Sequence, residues 1–74
     1  LKKTVNAAVD QLNAIKKLAD SGVLDTLPDP LRETAALRAD NPDASLKSLC
    51  ELSGMSRSGL NHRLRRLVEL ANEL

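Results

Sequence analysis

Apolar residues along this chain recur at helical rather than strand spacing. Over the first stretch, Leu1, Val5, Ala8, Leu12, Ile15 and Ala19 follow one another at gaps of four and three, while Lys2, Lys3, Asp10, Lys16 and Lys17 lie off that seam. This spacing predicts one amphipathic helix over about residues 3–20. Ser21-Gly22 stops it, because glycine accepts the left-handed conformation that closes a helix. Val23, Leu24 and Leu27 then form a connector expected to fold back on the core. Asp29-Pro30 restarts a helix, with aspartate expected as the cap and proline pre-set for the first helical position. That helix should end near Asp40, since the residue before Pro42 avoids the helical region. Leu31, Ala35 and Leu37 are its expected inward contacts.

Ser45 predicts the cap of a third helix, Leu46 to Ser53, expected to bury Leu46, Leu49, Cys50 and Leu52. Gly54 ends it, Met55 plugs the turn, and Ser56 caps a fourth helix whose core stripe is Leu60, Leu64, Leu67, Val68 and Ala71. Two helices joined at a sharp glycine turn read as a helix-turn-helix, whose first helix lies across a DNA groove while the second enters it. Cys50 supplies the small residue that lets the two helices meet, and is read as a core residue rather than a reactive thiol. The predicted class is therefore all-α with four helices: a trihelical helix-turn-helix over residues 29–74, preceded by an N-terminal helix over residues 1–22, in one domain. The stripe of the N-terminal helix either closes this core, the reading adopted here, or docks on a preceding N-terminal part or another chain.

Charge sharpens the picture through its distribution more than through its sum of +1. Residues 55–68 hold Arg57, Arg63, Arg65 and Arg66 and no acid, whereas residues 29–51 hold five acids against three bases. Positive charge confined to one helix suits a face presented to phosphates. The chain has no Phe, Tyr or Trp, which argues against single-strand recognition by base stacking. A single cysteine forms no internal disulfide and completes no metal-ligand set. No apolar run approaches the roughly 20 residues of a membrane span, and no signal peptide is visible. The expected location is cytoplasmic and nucleoid-associated, with no membrane partner. A chain opening on Leu1 rather than Met is expected to be a piece of a longer protein.

Stepping about 100° per residue from Leu60 puts Leu64, Leu67 and Ala71 on one side and Ser58, Asn61, His62 and Arg65 on the other, with Arg57 in the first turn. Arginine grips guanine O6 and N7 with two bonds, asparagine does the same with adenine N6 and N7, and serine or histidine donates to either. The candidate base-reading residues are thus Arg57, Ser58, Asn61, His62 and Arg65. Ser45, Lys47, Ser56, Arg63 and Arg66 are candidate phosphate contacts, which set register without reading sequence; the two capping serines, Ser45 and Ser56, serve as caps first. Gly59, costly in a helix, is explained by close approach of a backbone, from DNA or from the neighbouring helix. His62 has no second His, Cys or acid spaced to complete a catalytic or metal site, so it reads as a groove contact or an idle surface residue. No catalysis, metal or cofactor is expected. The Arg-rich helix also admits two other readings: a solvated face on a structural bundle, or a protein-interaction module docking on an acidic partner such as RNA polymerase, a sigma subunit or another regulator.

The run Ser56-Arg57-Ser58-Gly59-Leu60-Asn61-His62-Arg63-Leu64-Arg65-Arg66-Leu67 resembles the C-terminal helix-turn-helix signature of the WhiA sporulation and cell-division regulators of Gram-positive bacteria. Leu27-Pro28, Leu31-Arg32-Glu33 and Asn41-Pro42-Asp43-Ala44-Ser45-Leu46 are similar to that family as well, so the likeness covers nearly the whole chain. It departs in Arg57 where many members have lysine, in Leu60 where many have valine, and in a shorter turn before Ser56. The resemblance implies a helical fold like sigma-factor region 4 and double-stranded promoter DNA as ligand. It further implies a preceding, degenerate homing-endonuclease-like domain without nuclease activity. In actinobacteria it implies cooperation with a WhiB-type iron-sulfur protein and RNA polymerase.

Overall fold

The computed structural model describes residues 7–74, in which four helices follow in order: α1 (Ala7–Ser21), α2 (Asp29–Asp40), α3 (Leu46–Ser53) and α4 (Arg57–Asn72). One 3-10 turn, Leu24–Thr26, lies between α1 and α2, and no strand occurs among the described residues. The all-α class read from the periodicity holds. Leu1, Lys2, Lys3 and Val5 lie outside the described residues.

α1 ends where expected, at Gly22 with φ +81°, whose amide donates to the Ala19 carbonyl at 3.1 Å. Its inward side differs by one step from the predicted stripe. Leu18 is fully buried and joins Ala14 and Ile15 in the core, while Ala19 is exposed. With about 3.6 residues per turn, residue 18 stands above residues 11, 14 and 15, and residue 19 has already rotated past them. The stripe closes on the chain's own core, because these side chains join Leu60, Leu64, Leu67 and Ala71 of α4 in one cluster. Val23, Leu24 and Leu27 of the connector fold back on that cluster as predicted.

α2 begins one residue earlier than the aspartate cap requires. Pro28 holds the N-cap position without a side-chain bond, and its carbonyl accepts from the Leu31 and Arg32 amides at 3.0 and 3.1 Å. Asp29 is therefore the first helical residue rather than the cap; its carboxylate pairs with Arg32 one turn on and complements the positive helix terminus. Ala35 is buried and Leu31 and Leu37 are half-buried, but the same side also buries Thr34 and Arg38, at 2% and 3% exposure. Thr34 Oγ1 donates to the Pro30 carbonyl at 2.8 Å. Arg38 Nη1 donates to the Ala44 carbonyl at 2.6 Å and reaches the Asn41 carbonyl at 3.4 Å, so a buried cation ties the end of α2 to the start of α3. Desolvation lowers its pKa, yet an arginine this far above neutrality stays charged.

α3 and α4 begin and meet as the turn chemistry predicts. Ser45 Oγ accepts from the Ser48 amide at 3.1 Å, and Ser56 Oγ from the Gly59 amide at 3.1 Å, each satisfying one free amide of a helix start. Gly54 closes α3 at φ +73°, its amide donating to the Cys50 carbonyl at 2.8 Å. Leu49 is fully buried, and Leu46 and Cys50 are half-buried against the core. Leu52, expected inside, is instead 61% exposed. The inward side of this two-turn helix runs from Leu49 toward Leu46 and Cys50, and Leu52 is rotated to the opposite flank. α4 is the central element, packing on all three other helices and most extensively on α1.

Candidate nucleic-acid interface

α4 separates its side chains sharply. Leu60, Leu64 and Leu67 have no exposed surface and Ala71 has 3%, so one stripe of the helix is wholly inside. Fully burying each leucine contributes about 1.5–3 kcal/mol relative to exposure, which fixes the rotation of α4 about its axis. That rotation leaves Arg57, Ser58, Asn61, His62 and Arg65 exposed on the surface of one helix. Ser58, His62 and Arg65 lie opposite the leucines, whereas Asn61 stands nearer the α1 flank.

Asn61 borders two clefts. One, of about 390 Å³, is walled by Gln11 of α1, Arg38 of α2, residues 42–46 and Asn61. The other, of about 300 Å³, lies between Asp10 and Gln11 of α1 and Asn61, Arg65, Val68 and Glu69 of α4. The outer surface of α4 is thus bounded on one flank by α1, and Asn61 and Arg65 share a cleft with a helix that the sequence pattern did not connect with the base-reading face.

The five residues read as phosphate contacts are dispersed, and four have internal partners. Ser45 Oγ accepts from the Ser48 amide and donates to Ser48 Oγ at 3.2 Å. Ser56 Oγ is occupied by the Gly59 amide. Arg63 is half-buried, with Nη1 donating to the Met55 sulfur at 3.4 Å, so it braces the turn ahead of α4. Arg66 stands 3.8 Å from Glu69 in an exposed pair worth little and easily opened by a competing phosphate. Lys47 is exposed on the first turn of α3.

Gly59 also has a local reason, beside the approach of a backbone that its cost in a helix suggests. A Cβ there would stand 3.1 Å from Ser56 Oγ, closer than side chains normally pack, and no atom of a neighbouring helix is nearer. The glycine leaves room for the cap, and the neighbouring helix is not what approaches it. The residues that sequence reasoning missed are Gln11 and Arg38. Both fall on inward positions of their helices, Gln11 seven residues before Leu18 and Arg38 three after Ala35; periodicity pointed inward, but polarity argued outward. Among the described residues no three His, Cys, Asp or Glu side chains gather to hold a metal ion. No described helix is long and apolar enough to cross a membrane.

The family model of the WhiA C-terminal HTH domain matches residues 1–71. The probable cell division protein WhiA of Desulforamulus reducens is 55% identical over 76 aligned residues, covering 100% of this chain and 24% of that protein. The protein of the same name from Desulfitobacterium hafniense is 50% identical with the same coverage. That of Lactococcus lactis subsp. lactis is 50% identical over 74 residues, covering 97% of this chain and 24% of its own length. The chain thus spans about a quarter of the length of the relatives it matches. No solved structure matches.

Proposed function

Since the chain belongs to the WhiA family and carries its C-terminal helix-turn-helix, a domain of the DNA-binding type, we propose that it binds double-stranded promoter DNA sequence-specifically as part of a transcriptional regulator. The observation that carries this reading is the exposed set Arg57, Ser58, Asn61, His62 and Arg65, held on one helix by three leucines with no surface at all. α4 enters the major groove, Asn61 and Arg65 take base edges, and Arg57 works at the positive helix start. Lys47 and Arg66 hold phosphates; Ser45 and Ser56 join them only from hydroxyls already engaged as caps, and Arg63 only on leaving Met55. The domain acts by binding rather than catalysis, in the cytoplasm at the nucleoid, in control of cell division and sporulation. An RNA polymerase sigma factor, a WhiB-type iron-sulfur protein and a preceding N-terminal domain are its proposed protein partners.

A selection from random duplexes, followed by salt titration of the chosen sequence, tests this reading. Asn61→Ala should weaken cognate binding by about 1–3 kcal/mol and blunt preference at one base pair. Arg66→Ala should weaken all duplexes alike and lower the salt slope by about 1. A second reading draws on Leu52, whose exposed apolar surface a phosphate backbone does not need. In it, α3 and α4 dock on an acidic protein such as polymerase or sigma. Unchanged DNA affinity in both variants, with loss of such a partner, would decide for it.

A further inference from the structure

α1 turns Ala14, Ile15 and Leu18 toward the core it shares with α4, and Gln11 is a polar residue on that same side. Ala14, Ile15 and Leu18 follow it at three, four and seven residues, so Gln11 stands on the buried side of its helix. A leucine there would serve packing better than a carboxamide. Gln11 Oε1 is buried without a hydrogen-bond partner, and among the described residues the other buried side-chain polar atom without one is Arg38 Nε. One is an acceptor and the other a donor, and both residues wall the same cleft. Arg38 is already fastened to the Ala44 carbonyl, which makes it a fixed point for a partner from α1. The third polar side chain of that cleft contributed by a helix face is Asn61, and Gln11 and Asn61 also border the adjoining cleft together.

From this placement we propose that Gln11 is a positioning residue for Asn61. When DNA binds, the Gln11 carboxamide, whose Oε1 has no partner in the free domain, takes up Arg38 Nε and holds the amide plane of Asn61 in the orientation that offers oxygen and nitrogen together to an adenine edge. An exposed asparagine otherwise turns freely, and a bidentate contact requires both atoms in one plane. α1 is on this view part of the base-reading apparatus and not only a lid on the core. The inference rests on the DNA-reading proposal above.

The test is a double-mutant cycle read as base preference. The 74-residue chain is assayed on its selected duplex and on the duplex altered at the base pair whose preference Asn61→Ala abolishes. Gln11→Met, of equal length and no polarity, is expected to reduce discrimination at that base pair about tenfold, while the melting temperature does not fall and the salt slope holds. Gln11→Glu, which keeps an acceptor toward Arg38, retains the preference. In the Asn61→Ala background Gln11→Met has no further effect. Gln11→Leu carries the same expectation should the methionine variant fold poorly. Wild-type discrimination in the two apolar variants, or losses from Gln11 and Asn61 that simply multiply, overturns the positioning role. A wild-type chain that selects no duplex removes the DNA-reading proposal, and this one with it.

Discussion

The α3–α4 half and the α1–α2 half of this molecule handle polar groups in opposite ways. In the first, serine hydroxyls cap both helices, leucines fill the interior, and Asn61, His62 and Arg65 are left to solvent. In the second, polar groups go inside: Thr34 bonds back to its own helix, Arg38 crosses to the carbonyl of Ala44, and Gln11 sits on the seam of α1. The contrast teaches how a small domain without aromatic residues can offer a polar surface that stays in place. The α3–α4 half leaves the polar tips of Asn61, His62 and Arg65 outside, and the α1–α2 half spends the guanidinium of Arg38 on the carbonyl just ahead of α3.

The largest expected effect tests the apolar half. Leu64→Ala should cost about 2–5 kcal/mol, since a fully buried leucine leaves a cavity its neighbours only partly fill. Urea denaturation checks this, and a loss under 1 kcal/mol would mean that α4 is not held by its leucine stripe.

Next comes the supporting half. Arg38→Met keeps the bulk of the side chain but leaves the Ala44 carbonyl without its charged donor, and should cost about 1.5–3 kcal/mol. The loss should be flat across neutral pH, because burial lowers the Arg38 pKa without bringing deprotonation into that range. A variant as stable as the parent would show that the buried cation does not tie α2 to α3.

The smallest effects concern the start of α4. Ser56→Ala should cost about 1 kcal/mol through loss of the cap. Gly59→Ala then discriminates between local and partner-driven explanations of the glycine. In the Ser56→Ala background it should stabilise by about 1 kcal/mol, the full difference in helix propensity. In the parent the gain should be smaller, because the added methyl meets Ser56 Oγ at 3.1 Å. Equal gains in the two backgrounds, measured by thermal melting, would contradict the crowding.

The elements that sequence rendered most legible are those whose reasons are local. Ser45 and Ser56 as caps, Gly22 and Gly54 as helix ends, and the leucine stripe of α4 all follow from interactions within a few residues along the chain. The exposure of Arg57, Ser58, Asn61, His62 and Arg65 was legible for the same reason, since burying Leu60, Leu64 and Leu67 fixes which side is left over. Less legible was any position whose role depends on rotation by a few tens of degrees, such as Leu18 against Ala19 or the exposed Leu52, because both choices satisfy the apolar spacing nearly as well.

The sequence by itself determined the number of helices, their approximate ends, and the division of α4 into a buried and a presented side, because periodicity and capping act within one or two turns. Only the tertiary structure decided that Arg38 lies inside, that Arg63 rests on Met55, and that Gln11 comes beside Asn61. Those outcomes depend on which carbonyl, sulfur or carboxamide another helix brings within reach, and chain distance carries no record of that.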